Sequence, residues 1–238
     1  MTASTANAGT DLSPPRTVIC ADALEWLRAG QDLSGCAIIT SLPDVSELSL
    51  PLADWKRWFV DAAALVMEKC PPDSAAIFFQ TDIKPEGVWL DKGWLCHQAA
   101  ERTGMTLLWH KIACRKTPGT ITFGRPAYSH LLCYSKDLHA DLGRSTADVL
   151  PDMGPTVWTR GMGIEACRVA CRFVREQTRC RTVVDPFCGR GTVLAVANEM
   201  GLGALGVELC RKRSRQAKAL TVQEIIEGKP GDTEKGRK

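Results

Sequence analysis

Short apolar runs alternate with amphipathic stretches from about residue 17 to residue 226. The runs are rich in Val, Ile, Phe and Leu and end in polar or glycine-bearing turns. They predict strands over 17–20, 37–40, 75–80, 106–112, 129–135, 182–185 and 204–208. Between them, apolar residues recurring every three or four positions predict helices over 22–29, 53–69, 91–103, 163–178 and 191–200, with a further one over 210–226. Asp22 and Asp54 suit first helical turns, and Pro71-Pro72-Asp73 should stop the second helix. The segment 136–160 has no clear period and is expected to be a long loop. Such alternation is the pattern of an α/β domain.

The helix over 163–178 shows how the two faces divide. Ile164, Cys167, Cys171 and Val174 share one face, expected to pack on the sheet, while Arg168, Arg172, Arg175 and Arg179 form a stripe beside it. That stripe is read as a solvated face rather than a phosphate track. Cys167 and Cys171 lack clear partner ligands, so no metal site is expected there.

Composition bounds the picture. The chain has 238 residues, 45% of them hydrophobic, enough for one substantial core. A net charge of +3 does not by itself announce nucleic acid. Eleven cysteines, an odd number without a CxxC pair, argue for free thiols in a cytoplasmic setting. Residues 1–15 and 227–238 read as polar disordered tails around a single domain, 16–226. The first fifteen residues carry no basic residue, unlike a signal or transit peptide, and no apolar run approaches the roughly 18 residues of a membrane span.

The most informative run is Thr182 to Leu209, "TVVDPFCGRGTVLAVANEMGLGALGVEL". A strand ends at Asp185, a Gly189-Arg190-Gly191 turn follows, a helix starts near Thr192, and the next strand ends in Glu208. Glycines let a backbone turn tightly against a ligand, and the helix N-terminus offers unpaired N–H groups. An acid about 20 residues beyond such a turn is placed to accept both hydroxyls of a ribose. Leu194 stands where a dinucleotide fingerprint has its third glycine, which disfavours a nicotinamide or flavin site.

"DPFCGRGT" resembles the DPF-x-G-x-G-T signature of S-adenosylmethionine-dependent methyltransferases, especially those acting on nucleic-acid bases. The order of motifs resembles the circularly permuted, beta-type amino-methyltransferases. Their chain opens with a strand and an acid, then a helix, then a strand ending in DPPY or SPPY, with the glycine turn later. Here "TVICADALEWLRAGQDLSGCAIITSLPD" precedes the turn in that order. The resemblance spans about residues 17–218. It implies a Rossmann-like, seven-stranded, mostly parallel sheet with one antiparallel strand, in which 182–185 is central, 37–40 lies beside it, and 106–112 pairs with 129–135.

It also implies site roles. Asp185, Phe187, Gly189 and Gly191, with Pro186, Cys188 and Thr192 between and after them, would hold the methionine part of the cofactor, and Glu208 its ribose. Asp22, followed by Ala23, would lie near the adenine amino group, and Gly161-Met162-Gly163 near the methionine end. Ser41-Leu42-Pro43-Asp44 would form the acceptor loop. Ser41 can take the first role, as in SPPY members, and Pro43 keeps the turn rigid. Leu42 replaces a proline, and Asp44 replaces the aromatic that stacks on a flipped base, which puts the amine target in doubt. Asp44 could orient the acceptor or accept its proton; otherwise it only stabilises a local turn.

The loop between 112 and 129 should hang over the substrate side. Arg115, Lys116 and Arg125 interleave there with Phe123, suiting phosphates and unstacked bases, or else forming a plain hairpin loop. Trp89 either packs or reaches the site. His110 and His130, within strands, are expected to be structural. The function expected is S-adenosylmethionine-dependent methylation of RNA, tRNA first, by a compact enzyme with no room for a sizeable target-recognition region. It could work as a homodimer or with a partner subunit. The alternatives are a protein or small-molecule acceptor, or a catalytically silent cofactor-binding partner subunit.

Overall fold

The computed structural model describes residues 14–228. All seven expected strands form: β1 (Arg16–Ile19), β2 (Cys36–Thr40), β3 (Ala76–Gln80), β4 (Thr106–Cys114), β5 (Tyr128–Ser135), β7 (Thr182–Asp185) and β8 (Gly203–Val207). An eighth, β6 (Val149–Leu150), lies inside the segment expected to be all loop and pairs parallel to β4 through Ile112 and Ala113. Two residues are too few to show a period. What pins this segment is Lys111, whose Nζ donates to the carbonyls of Thr146 and Ala147 and pairs with Asp148 at 3.1 Å. The sheet order is β1-β8-β7-β2-β3-β5-β4-β6. β5 runs antiparallel to both β3 and β4, and every other pairing is parallel.

The helices are α1 (Ala23–Arg28), α2 (Val45–Leu48), α3 (Leu52–Lys69), α4 (Lys92–Thr103), α5 (Ile164–Gln177), α6 (Thr192–Glu199), α7 (Arg211–Ala219) and α8 (Val222–Ile226). The single helix expected over 210–226 is two. Leu220 leaves the helical region, and Thr221 starts α8 with a reciprocal capping box to Glu224. Asp22 caps α1, its Oδ1 accepting from the backbone N–H groups of Leu24 and Glu25.

Central strands alternate between two layers. Ala37 and Ile39 of β2, and Ile77 and Phe79 of β3, meet α5 residues Cys167, Cys171 and Val174 on one face. Ile38 and Phe78 meet Trp55, Phe59 and Ala63 of α3 on the other. Burial on both faces explains why these strands read as nearly continuous apolar runs. The arginine stripe of α5 stays outside, with Arg168 bridging Glu165 and Glu199. Thus the sheet carries helices on both faces, and its parallel strands present their carboxyl ends together along one edge, where ligands of open α/β sheets bind. The expected tails lie almost wholly outside the described residues.

Candidate functional site

A cavity of about 250 Å³ opens over the carboxyl ends of five adjacent strands. β1 leads into Asp22 and Ala23, β8 into Glu208, β7 into Pro186, Phe187 and Gly189, β2 into Ser41 to Asp44, and β3 contributes Phe79, Gln80 and Thr81. Residues from opposite ends of the chain therefore line one space because parallel strands end at a common level.

One half of the cavity is built around the glycine turn. Gly189 and Gly191 take φ of +54° and +91°, which an L side chain resists, so the turn needs glycine at both. A Cβ on Gly189 would meet nothing within 4 Å, so the turn leaves open space beside it. On Gly191 it would strike Ala217 at 2.8 Å. Gly191 thus serves packing of α6 on α7, and Gly189 faces the cavity. Glu208 is buried, with its Oε1 accepting from Cys210 N–H at 2.7 Å and Arg213 Nε at 2.9 Å. Phe187 stacks edge-on with Trp58 of α3, ring centroids 6.4 Å apart, and both line the cavity.

Asp185 stands behind the turn, not in the cavity wall. Burial pushes its carboxyl up to about 7, against the opposing pull of hydrogen bonds from Thr40 Oγ1 (2.7 Å) and Phe187 N–H (3.1 Å). It ties β7 to β2 and shapes the turn. Cys188 is likewise behind it, packed so closely that a Cβ on Gly206 would lie 2.8 Å from its Sγ. Burial raises the Cys188 thiol, which removes it as a nucleophile. Thr192 is buried in the first turn of α6.

The Gly161-Met162-Gly163 segment also stays out of the wall. Met162 belongs to the core, and a Cβ on Gly163 would collide with the Met153 carbonyl at 2.0 Å. Gly161 closes a turn on the Trp158 carbonyl at 2.9 Å, and it is Trp158 and Arg160 of this turn that line the cavity.

Opposite the glycine turn lies the loop after β2. Ser41, Leu42, Pro43 and Asp44 all line the cavity. Asp44 is buried yet ionised. Burial alone would raise its carboxyl, but Lys92 and Arg125 beside it outweigh that and hold it below the usual value. Its Oδ1 lies 3.4 Å from Lys92 Nζ, and Arg125 Nη2 pairs with Oδ2. Asp44 also caps α2 in a capping box with Glu47. The turn role and the site role are therefore combined in one carboxylate. The Pro43 carbonyl accepts from Trp55 Nε1 at 3.2 Å.

Of the basic and aromatic loop after β4, Arg125 reaches the cavity. Arg115 instead donates to the Thr159 carbonyl, Lys116 stays outside the wall, and Phe123 is 89% exposed. Trp89 is half exposed and donates to Asp82 Oδ2 at 3.0 Å, outside the wall. His130 is buried between Asp82 and His110, at 3.0 and 2.9 Å. Sequence reasoning missed Trp58, Gln80, Thr81, Lys92, Trp158 and Arg213. Lys92 reads as an ordinary helix-start lysine, and only the fold shows it buried. Gln80, ending a fully buried strand as its one polar residue, did carry a signal.

No protein-family model and no curated protein matches the sequence. Solved structures of like fold do. The PvuII DNA methyltransferase (cytosine-N4-specific) superposes with a TM-score of 0.70 at 14% identity, covering 91% of this chain and 94% of that one. TTHA0409 of Thermus thermophilus, provisionally named a DNA modification methylase and complexed with S-adenosyl-L-methionine, gives 0.65 at 21% identity, covering 92% and 97%. The M1.HpyAVI–SAM complex gives 0.58 at 16% identity, covering 85% and 97%. The chain shares the fold of these structures, a mostly parallel, Rossmann-like sheet with β5 antiparallel among parallel strands and the glycine turn following the β2 loop in the chain.

Proposed function

We propose that this protein is an S-adenosylmethionine-dependent methyltransferase acting on a nucleic-acid base, with RNA as the polymer and tRNA as the first substrate class. The observation that carries the reading is the single cavity joining Asp22, Gly189 and Glu208 to the Ser41–Asp44 loop.

The cofactor's chemistry fits the wall. Bound there, it would supply an electrophilic methyl on a sulfonium sulfur that leaves as a thioether. Glu208 has both its protein contacts on Oε1, so Oε2 is the oxygen that ribose hydroxyls can approach. The open side of Gly189 gives room for the methionine part. Asp22 uses Oδ1 for the α1 cap, and its second oxygen can accept from an adenine amino group. Trp58 and Phe187 offer ring faces to a planar group between the two halves. On the far side, Ser41 and the Asp44-anchored Arg125 position the acceptor in line with the methyl, and positioning supplies much of the rate in such displacements.

What supports RNA is the loop after β2, where an aromatic and a proline of the amino-methylating pattern are replaced by Asp44 and Leu42. A DNA base is the second reading, favoured by what the solved structures of like fold are named. Incubating the full chain with methyl-tritiated S-adenosylmethionine and either unfractionated RNA or genomic DNA tests both. Label in RNA is expected; label confined to DNA favours the second reading, and label in neither argues against both.

A further inference from the structure

The positive charge of this chain is concentrated in one helix. Thirty Lys and Arg stand against 27 Asp and Glu, and five of those cations, with no acid among them, fall in the nine residues of α7, RKRSRQAKA. Without them the remainder carries 25 cations against 27 anions, a net charge of −2, so α7 holds the whole excess.

That placement works against the helix. Arg211 and Lys212 occupy its first turn, where the positive end of the helix dipole disfavours cations, and neither an acid nor a side-chain cap offsets them. Arg211 and Arg215 are four residues apart, and Arg215 lies three from both Lys212 and Lys218, spacings at which like charges repel. Among the described residues, only Arg213 of the five has an acidic partner, Glu208. On α5, by contrast, Arg168 and Arg175 each have one. Unpaired like charges kept against local stability point to a role in binding.

The position of α7 suits that role. Ser214 and Ala217 are buried, and a Cβ on Gly191 of the glycine turn would touch Ala217. Arg213, and Leu209 just before the helix, line the cavity. Arg211, Lys212, Arg215 and Lys218 are all exposed. Arg211, Arg215 and Lys218 share one stripe, roughly 10 Å long, that begins two residues beyond the cavity wall at Leu209.

We infer that the exposed face of α7 docks the phosphate backbone of the nucleic-acid substrate, on the strand flanking the base that enters the cavity. The inference rests on the nucleic-acid reading above and gives that substrate a second contact outside the cavity. A row of cations matches the regularly spaced phosphates of a strand, and such contacts fix position without reading sequence. The alternative polyanion, a lipid surface, fits less well. An interfacial helix needs an apolar face to insert, and α7 has no aromatic or branched aliphatic side chain.

The test measures binding of the full chain to fluorescein-labelled tRNA and to a labelled DNA duplex, by anisotropy over a series of salt concentrations. Arg211, Lys212, Arg215 and Lys218 are then all replaced by Gln, and the measurement is repeated on whichever polymer the native chain binds. Affinity at low salt should fall at least about tenfold, and the slope of log K against log salt should shrink by about 3, for four lost phosphate contacts. Cofactor affinity by calorimetry should stay unchanged, and the melting temperature should be equal or higher, because the repulsion is relieved. Replacing Arg172, Arg175 and Arg179 of α5 by Gln is the control and should leave the slope almost as it was. An unchanged slope in the α7 variant, or an equal loss from the α5 control, overturns the docking surface alone. Binding of neither polymer by the native chain overturns the nucleic-acid reading and this inference with it. Displacement of the polymer by phosphatidylserine vesicles, lost in the α7 variant while polymer binding persists, would make the face a lipid contact and overturn the inference. Should the fourfold variant not fold, Arg215→Gln with Lys218→Gln gives the same reading, with about half the change in slope.

Discussion

Asp44 Oδ1 and Lys92 Nζ lie 3.4 Å apart with both side chains no more than 5% exposed, joining the loop after β2 to the start of α4. Lys92 also lies 5.5 Å from the Trp55 ring centroid. Removing one partner of a buried pair strands the other charge, which costs about 3–5 kcal/mol. Lys92→Met should therefore lose about 3 kcal/mol in urea denaturation, Arg125 remaining as partial compensation, and Lys92→Met with Asp44→Leu should recover most of it. A loss near zero for the single variant would contradict the pairing. Because the folded Asp44 carboxyl is held below 3.8, its contribution is present above that value and is lost as pH falls through the folded value.

Arg125 is held at the cavity by Asp44. Arg125→Ala should leave cofactor affinity within about twofold and lower turnover at least about tenfold, since the side chain pairs with Asp44 on the side of the cavity proposed to take the acceptor. Parallel loss of cofactor binding, measured by calorimetry, would place Arg125 on the wrong side of the site.

Glu208 carries the opposite prediction. Glu208→Ala removes the carboxylate proposed to accept the ribose hydroxyls, and hydrogen bonds to charged groups are worth roughly 1.5–3 kcal/mol. Cofactor affinity should fall about 10- to 100-fold, with the fold kept. An unchanged affinity would remove Glu208 from the cofactor site.

Asp185 gives a pH signature. Its folded value of about 7 lies above the ordinary 3.8, so the folded state holds the proton more tightly than the unfolded chain. That contribution is complete below 3.8 and is lost as pH rises through about 7. Asp185→Asn keeps an oxygen for Thr40 and the Phe187 N–H without an ionisable proton. Its melting temperature relative to the native chain should therefore rise between about pH 5 and pH 8. A difference independent of pH would mean that Asp185 is not held protonated by burial.

Much of this molecule was legible in its sequence. Strands β2, β3, β5, β7 and β8 follow from apolar runs because burial on both faces demands them, and the glycine turn follows from backbone geometry that only glycine tolerates. Strand β6 was hidden, since two residues pair only because Lys111 holds the neighbouring carbonyls. Motif membership also proved a poor guide to which residues touch the cavity. Asp185, Cys188, Gly191 and Thr192 build the turn from behind, while Pro186, Phe187 and Gly189 face inward. Lys92 and Trp58 were illegible because helix periodicity tells which face is buried, not which end of the sheet it reaches. Gly161 to Gly163 were placed one turn away from the residues, Trp158 and Arg160, that reach the cavity.

The central claim is that one cavity takes S-adenosylmethionine against the Gly189 turn and Glu208. Isothermal titration of the full chain with S-adenosylmethionine tests it directly. The account predicts saturable binding of one cofactor per chain, competed by S-adenosylhomocysteine and weakened in Glu208→Ala. No binding, or binding indifferent to that substitution, would contradict it.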